Sequence, residues 1–284
     1  MRGVTVAEAL AGATARLEAS GVDTARLDAE LLAGKALHRS RTELYLDPER
    51  ELTQAEEQAY GELVERRARR EPAAYILGEW GFRRLTLTVD RRVLIPRPGT
   101  ESVVERCLEL IRDLEAPTVL DAGTGSGAIA LAIADEHPGA RVTAIDSSED
   151  ALAVAEANAA RAGLAGRVAF VLRDLGDELG GPYDLVVSNP PYVLPGELAG
   201  LQPEVRDWEP ALALVDRGQT EALARAARTA IRPGGWLVLE VGDERGEEVA
   251  GLIRRIGFGT VRIGKDLAGR DRVVGGQWTP SSRR

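Results

Sequence analysis

The sequence predicts an α/β fold: a doubly wound, mostly parallel sheet with an antiparallel edge strand, preceded by a small N-terminal helical bundle that a β-hairpin joins to it. Three observations carry this. Apolar residues first recur at helical spacing, as in "VAEALAGATARLEASG", where Val6, Leu10, Ala13 and Leu17 form one stripe. From Leu85 the period shortens to two, in "LTLTVD". After that, continuous apolar runs alternate with helical patterns, and such strands belong to a parallel sheet covered on both faces.

Along the chain, Thr5, Asp23 and Thr53 each precede a helical stretch and are expected N-caps, and Gly21 closes the first helix. "ARLDAELLAGKALH" and "QAEEQAYGELVERRARR" repeat the amphipathic pattern. "ERRARREP", Glu65 to Pro72, reads as a solvated helix end with basic side chains near the C-terminus. Leu85, Leu87 and Val89 alternate with polar residues, Asp90-Arg91-Arg92 breaks the run, and Val93-Leu94-Ile95 follows. The expected hairpin pairs these two stretches and links two domains. The next helix spans roughly Thr100 to Leu114 and carries Cys107 as a core or boundary residue. Strands are expected at "TVLDAG", "RVTAID", "VAFVLRD", "YDLVVSN" and "GWLVLEVG"; "TVRIG" and "RVVGGQW" close the sheet as an antiparallel edge pair. The expected organisation is a helical domain over 1–75, a linker with the hairpin over 76–98 and the sheet domain over 99–284.

The 284 residues are 44% hydrophobic and 29% charged, as in ordinary globular chains. Charges interrupt every apolar run before it reaches the length of a membrane span. The N-terminal stretch lacks the continuous apolar region of a secretory signal. The single cysteine excludes an internal disulfide framework, and a cytoplasmic location follows as the default. A net charge of −9 argues against a protein that grips nucleic acid through its phosphates.

"LDAGTGSGAIALAIA" places Gly123, Thr124, Gly125, Ser126 and Gly127 in a turn between a strand and a helix. Glycines there permit a tight turn and close backbone approach. Alone, such a turn accommodates a dinucleotide, another adenosine ligand, or nothing. The spacing is not the dinucleotide fingerprint, and Lys35 and Lys265, the only lysines, lie far away, so no Walker lysine is present. Asp146 ends the second strand, where a carboxylate accepts from both ribose hydroxyls. Asp174 ends the third, placed to accept from an adenine amino group while Leu175 packs on the ring. These successive strand ends describe an adenosine pocket, and S-adenosylmethionine fits because it needs no phosphate cradle.

"DLVVSNPPYVL" ends the fourth strand on the same sheet edge. Two consecutive prolines cannot extend a ladder. The pieces suit methylation of a planar nitrogen, whose lone pair is delocalised and poorly nucleophilic. Asn189 Oδ1 accepts one substrate N–H and the Pro190 carbonyl accepts the other, which favours a less planar nitrogen. Pro190 and Pro191 fix that carbonyl rigidly, and Tyr192 offers a flat face for stacking.

"DAGTGSG", Asp146 and "SNPPY" resemble class I S-adenosylmethionine-dependent methyltransferases acting on exocyclic or amide nitrogen. With "EPAAYILG", "LIPRPGTE", "WEPALAL", "LEVG" and "KDLAGRDRVV", the order and spacing resemble the release-factor glutamine methyltransferases, PrmC or HemK, over nearly the whole chain. The resemblance implies transfer from S-adenosylmethionine, leaving S-adenosylhomocysteine, to the glutamine amide of the Gly-Gly-Gln loop in bacterial peptide chain release factors. It implies that Gly123 to Gly127, Asp146, Asp174, Leu175 and Asn189 bind cofactor and that Asn189 to Tyr192 bind the amide, with Asn189 and Pro190 catalytic. It also implies that the helical domain docks the release factor and that Phe82 helps wall the pocket. The chain departs from the family pattern at Gly81 and Gly99. Its own Gly275-Gly276-Gln277 reads as part of a strand rather than as a substrate. Two other functions compete: an adenine-N6 or other nucleic-acid amino-methyltransferase, sharing the tetrapeptide, and a non-catalytic module that binds a release factor or the cofactor.

Overall fold

The computed structural model describes residues 3–279, so the outermost ends of the expected domains lie outside it. The chain divides into two compact units, Met1–Glu79 with Gln202–Trp208, and Trp80–Leu201 with Glu209–Arg284.

The first unit holds helices α1 (Val6–Ala19), α2 (Ala25–Leu37), α3 (Arg41–Leu46), α4 (Gln54–Ala68) and α5 (Ala73–Leu77). Thr5, Ser40 and Thr53 cap α1, α3 and α4, and each is answered by a glutamate in the first turn: Glu8, Glu43 and Glu56. Asp23 is not a cap. Thr24 precedes α2, and Asp23 instead accepts a hydrogen bond from Gln202 Nε2 at 2.8 Å. Leu10, Leu17, Leu32, Leu44 and Ile76 fill the core.

The basic run near the end of α4 is not the solvated helix end its composition suggests. Arg67 is buried: Nε donates to Asp28 Oδ2 at 2.7 Å and Nη2 to Glu204 Oε1 at 2.7 Å. Arg70 grips both oxygens of Glu204, at 2.8 and 2.6 Å, and Arg66 grips Glu71. A buried guanidinium needs such a carboxylate, because an uncompensated charge there costs several kcal/mol, on the order of 3–5.

The second unit begins within a hairpin of β1 (Glu79–Phe82) and β2 (Leu85–Thr88). The pairing is one step earlier than expected, because Val93–Ile95 forms no strand. The prolines at 96 and 98 remove ladder donors just beyond it, and the Ile95 N–H donates to Glu209 Oε2 at 3.3 Å. The turn holds Arg83 at φ 50°. Its N–H donates to Glu101 Oε1 at 2.9 Å and its Nη1 to the Glu101 carbonyl at 3.2 Å, so a side chain from elsewhere does the work of a turn residue.

The remainder runs α6 (Pro98–Ile111), β3 (Thr118–Ala122), α7 (Ala128–Glu136), β4 (Arg141–Asp146), α8 (Glu149–Arg161), β5 (Val168–Leu172), β6 (Tyr183–Ser188), α9 (Pro203–Arg206, within the segment that clusters with the helices), α10 (Ala211–Leu214), α11 (Gln219–Ala230), β7 (Ile231–Glu240), α12 (Gly246–Ile256), β8 (Gly259–Lys265) and β9 (Asp271–Gln277). The sheet order is β5-β4-β3-β6-β7-β9-β8. The first five strands are parallel, and β9 runs antiparallel to β7 and β8, which is the expected edge pair. One face packs residues of α6 and α7, including Val103, Ile111 and Ile129; the other packs Leu223, Ala227 and Ile253 from α11 and α12. Cys107 is wholly buried on the first face, and burial raises its thiol pKa, as suits a core residue.

Gly275-Gly276-Gln277 lies within β9, opposite Val238, Leu237 and Trp236. A Cβ on Gly276 would come within 2.8 Å of Ile253 Cδ1, so the glycine there answers to helix packing. No helix of the described residues is long and apolar enough to cross a membrane.

Candidate active site

Strand order reverses between β3 and β6, and that is where an open α/β sheet leaves a crevice at its carboxyl edge. Asp121 of β3 stands opposite Val187 of β6. The glycine turn that follows β3 and the Asn-Pro-Pro-Tyr segment that follows β6 are therefore brought to one edge by register alone.

The turn is a fixed backbone cradle. Gly123, Gly125 and Gly127 take φ of 76°, 54° and 84°. The N–H groups of Gly123 and Thr124 both donate to the Ile145 carbonyl, at 2.8 and 2.9 Å. At Gly127 a Cβ would stand 3.1 Å from Leu131 Cδ1 and 3.2 Å from Ala155 Cβ, so glycine is required there by both conformation and space. Asp121 holds the turn from beneath. Its Oδ2 accepts from Thr124 Oγ1 at 2.7 Å and from the Ala130 N–H at 3.1 Å, while its wholly buried Oδ1 has no partner among the described residues. Burial pushes its carboxyl up to about 7.

Asp146, at the end of β4, accepts from the Gly125 N–H at 2.9 Å and the Ser148 N–H at 3.0 Å, one on each oxygen. Burial raises its pKa, against the pull of these amides. Each oxygen keeps a lone pair free for further donors, such as a diol.

A cavity of about 150 Å³ opens along this edge. Of the residues expected at the site, Gly123, Thr124, Gly125, Ser126, Asp146, Leu175, Asn189 and Pro191 line it. Gly127 starts the helix behind the turn. Pro190 is buried next to the lining. Asp174 is exposed and outside it: β5 ends at Leu172, and the Asp174 carboxylate accepts from the Gly176 N–H at 2.9 Å in its own turn. Tyr192 also lies outside. A Cβ on Gly242 would stand 3.2 Å from its Cδ2, and its carbonyl accepts from Arg245 Nη1 at 2.7 Å, so Tyr192 lines a second cavity with Glu240 and Arg245. Burial raises the Tyr192 phenol pKa, with the Glu240 carboxylate adding to it.

Asn189 is half-buried. Neither its carboxamide nor the Pro190 carbonyl takes a hydrogen-bond partner among the described residues. Glu240, which ends β7 and lines the second cavity with Tyr192, is buried, and its Oε2 has no partner among the described residues; burial pushes its carboxyl up to about 7.

Phe82 is not a pocket residue. It is 2% exposed and sits in the core with Leu87 and Val103. Gly81 faces open space, whereas a Cβ on Gly99 would meet Arg272 Nε at 2.9 Å. The wall that sequence reasoning missed comes from two segments: the irregular stretch Arg92, Val93, Leu94 and Pro96 ahead of α6, and Pro210 with Leu212 and Ala213 of the single-turn helix α10. Their signal was present in "LIPRPGTE" and "WEPALAL", stretches with no regular period, the first with two prolines and the second with one, each with a carboxylate. Thr100, in the first turn of α6, completes that wall. The described residues contain no cluster suited to a metal ion.

Residues 8–78 match the family model of the PrmC N-terminal domain, and residues 99–199 match that of the methyltransferase small domain. The chain is 40% identical to the release factor glutamine methyltransferase of Caulobacter vibrioides over 98% of each chain. It is 44% identical to the one from Chlorobaculum tepidum, over 88% of this chain and 90% of that one. Among solved structures, the hMettl16 catalytic domain in complex with MAT2A 3′UTR hairpin 6 is similar with a TM-score of 0.55 at 15% identity, covering 70% of this chain and 77% of that one. A SAM-dependent O-methyltransferase from Thermotoga maritima is similar with a TM-score of 0.51 at 15% identity, covering 68% and 70%. These two likenesses are of fold.

Proposed function

The chain belongs to the release factor glutamine methyltransferases, and on that premise we propose how its own residues carry out the transfer. It methylates the side-chain amide nitrogen of the Gly-Gly-Gln glutamine in peptide chain release factors, with S-adenosylmethionine as donor. The observation that carries this reading at the level of atoms is the unpartnered acceptor pair, Asn189 Oδ1 and the Pro190 carbonyl, at the rim of a cavity built for an adenosine.

The residues present fit that cofactor. The glycine turn gives backbone access without a phosphate-binding lysine, and the Asp146 carboxylate retains acceptor capacity for a ribose diol. Leu175, whose Cδ2 would lie 3.7 Å from a Cβ at Gly123, offers an apolar face for the adenine. Asp174 lies outside the cavity lining, with one carboxylate oxygen accepting from the Gly176 N–H, so we assign the adenine contact to Leu175. When bound, S-adenosylmethionine supplies an electrophilic methyl group.

The chain supplies position and polarity. Asn189 and Pro190 each accept one N–H of the substrate amide, and this draws its nitrogen away from full conjugation toward the geometry that can attack. Pro191 holds the Pro190 carbonyl rigidly in place. No basic side chain has to take a proton first, because the N–H becomes acidic only once the nitrogen is alkylated. Tyr192 supports the segment from behind, through Gly242 and Arg245, in place of the stacking role its position suggested.

The test is transfer of label from S-adenosylmethionine to a purified release factor, with duplex DNA and structured RNA as parallel acceptors. Label is expected on the Gly-Gly-Gln glutamine alone. Label on nucleic acid, or none on the release factor, would refute the reading.

A further inference from the structure

The segment Glu209–Asp216 crosses one wall of the cavity and is fastened at both ends. At its start, the Glu209 carboxylate is buried; one oxygen pairs with Arg97 and the other accepts the Ile95 N–H at 3.3 Å. Both partners belong to the irregular stretch that forms the neighbouring wall. At its end, the Val193 N–H donates to the Leu214 carbonyl at 3.0 Å and the Asp216 N–H donates to the Val193 carbonyl at 2.9 Å. Val193 directly follows Asn189-Pro190-Pro191-Tyr192. One short strap thus connects the stretch ahead of α6 to the segment that bears the acceptor pair.

Between its fastenings the strap presents Pro210, Leu212 and Ala213 to the cavity. Leu212 lines the cavity and is nevertheless 61% exposed, in contrast to Leu214 and Val215 beside it, which are buried. A large apolar side chain held open on a tethered segment has no packing reason to be there within the chain, and covering it removes apolar area from water.

We propose that Glu209–Asp216 is a positioning strap for the cofactor: Leu212 is its contact with the bound ligand, and Glu209 is a positioning residue that sets the strap's distance from the opposite wall through Arg97 and Ile95. This rests on the cavity being the cofactor site. Glu209 touches no reacting atom. It acts through the strap, and the fastening to Val193 relays the strap's position to Asn189 and Pro190.

The experiment is calorimetric titration of S-adenosylhomocysteine into the full chain, the Leu212→Ala variant and the Glu209→Gln variant, alongside thermal melts of each without ligand. Leu212→Ala is expected to weaken binding by about fivefold with an unchanged melt, because an exposed side chain contributes little to folding. Glu209→Gln, which keeps an acceptor for the Ile95 N–H and loses the charge on Arg97, is expected to weaken binding by about tenfold or more. In transfer assays both variants should raise KM for the cofactor more than they lower kcat. Two variants that bind like the parent chain would overturn the strap. So would a Glu209→Gln variant that binds weakly and melts early beside a Leu212→Ala variant that binds normally, since Glu209 would then be structural only. A parent chain that binds no S-adenosylhomocysteine would instead overturn the cofactor reading of the cavity itself, and the strap with it.

Discussion

Replacing Asp121 with asparagine should stabilise the fold at alkaline pH and do so much less in mild acid. The carboxyl is wholly buried and its pKa is pushed up to about 7 from the ordinary aspartate value of 3.8, chiefly by burial. Folded protein therefore keeps a proton over a range in which unfolded protein has released it, and stability falls as pH rises through that range. The folded pKa lies about three pH units above the unfolded one at about 1.36 kcal/mol each, so ionising Asp121 costs the folded state about 4 kcal/mol by pH 8, of which about 3 kcal/mol accrues above pH 5. Asparagine does not titrate. Its oxygen can accept from Thr124 Oγ1 and the Ala130 N–H as Oδ2 does, and its NH2 occupies the place of the unpartnered Oδ1. Urea unfolding of both proteins at pH 5, 6, 7 and 8 measures the effect. Glu240 also titrates near 7 by the same cause, so the quantity to read is the difference between variant and parent at each pH. That difference should grow by about 3 kcal/mol from pH 5 to pH 8. A difference that stays flat would show that Asp121 remains ionised throughout, and the argument from burial would be wrong.

Four further outcomes are expected. Asn189→Ala should lower kcat for release-factor methylation by about 100-fold or more while S-adenosylhomocysteine affinity, measured by calorimetry, stays within about threefold. Asp146→Ala removes the acceptor for the Gly125 and Ser148 amides as well as that for the ribose, and should weaken the same binding by about tenfold or more. Gly127→Ala forces a side chain into φ 84° and against Leu131 and Ala155, and should cost about 1–3 kcal/mol in denaturant titration. Cys107 should resist iodoacetamide in the folded protein and react completely in urea, as read by intact mass, because burial both hides the thiol and raises its pKa.

What the sequence made legible at this site is what local chemistry dictates. The glycine turn needs positive φ at successive positions, the two prolines must end a strand, and Asp146 closes β4 next to the turn, so these residues announced themselves. The strand alternation likewise fixed the sheet and its antiparallel edge. Most of the differences involve partners distant in sequence. Arg67 read as solvated because its carboxylate, Glu204, lies 137 residues away. The hairpin was misregistered because Arg83 takes the turn with help from Glu101 rather than through a glycine or asparagine. Asp174 differs for a local reason: β5 ends at Leu172, two residues before it, and its carboxylate joins a turn of its own. Tyr192 follows the prolines at the expected place, but its ring packs over Gly242, fifty residues on, and lines the second cavity. The walls around Val93 and Leu212, one irregular and the other a single helical turn, are too short to show a period, and only their pairing through Glu209 reveals them.

The grip of Arg67 and Arg70 on Glu204 bears on how this protein can be taken apart. A fragment ending at Glu79 would contain every long helix of the first unit and still lack Gln202–Trp208. It would keep Asp28 against Arg67 but leave the other face of that guanidinium, and both donors of Arg70, facing solvent where a carboxylate belongs. The helical unit is therefore not a transferable cassette. Grafting it onto another enzyme, or exchanging it between relatives to alter recognition, requires carrying a second stretch of gene from the middle of the catalytic half, with Glu204 inside it.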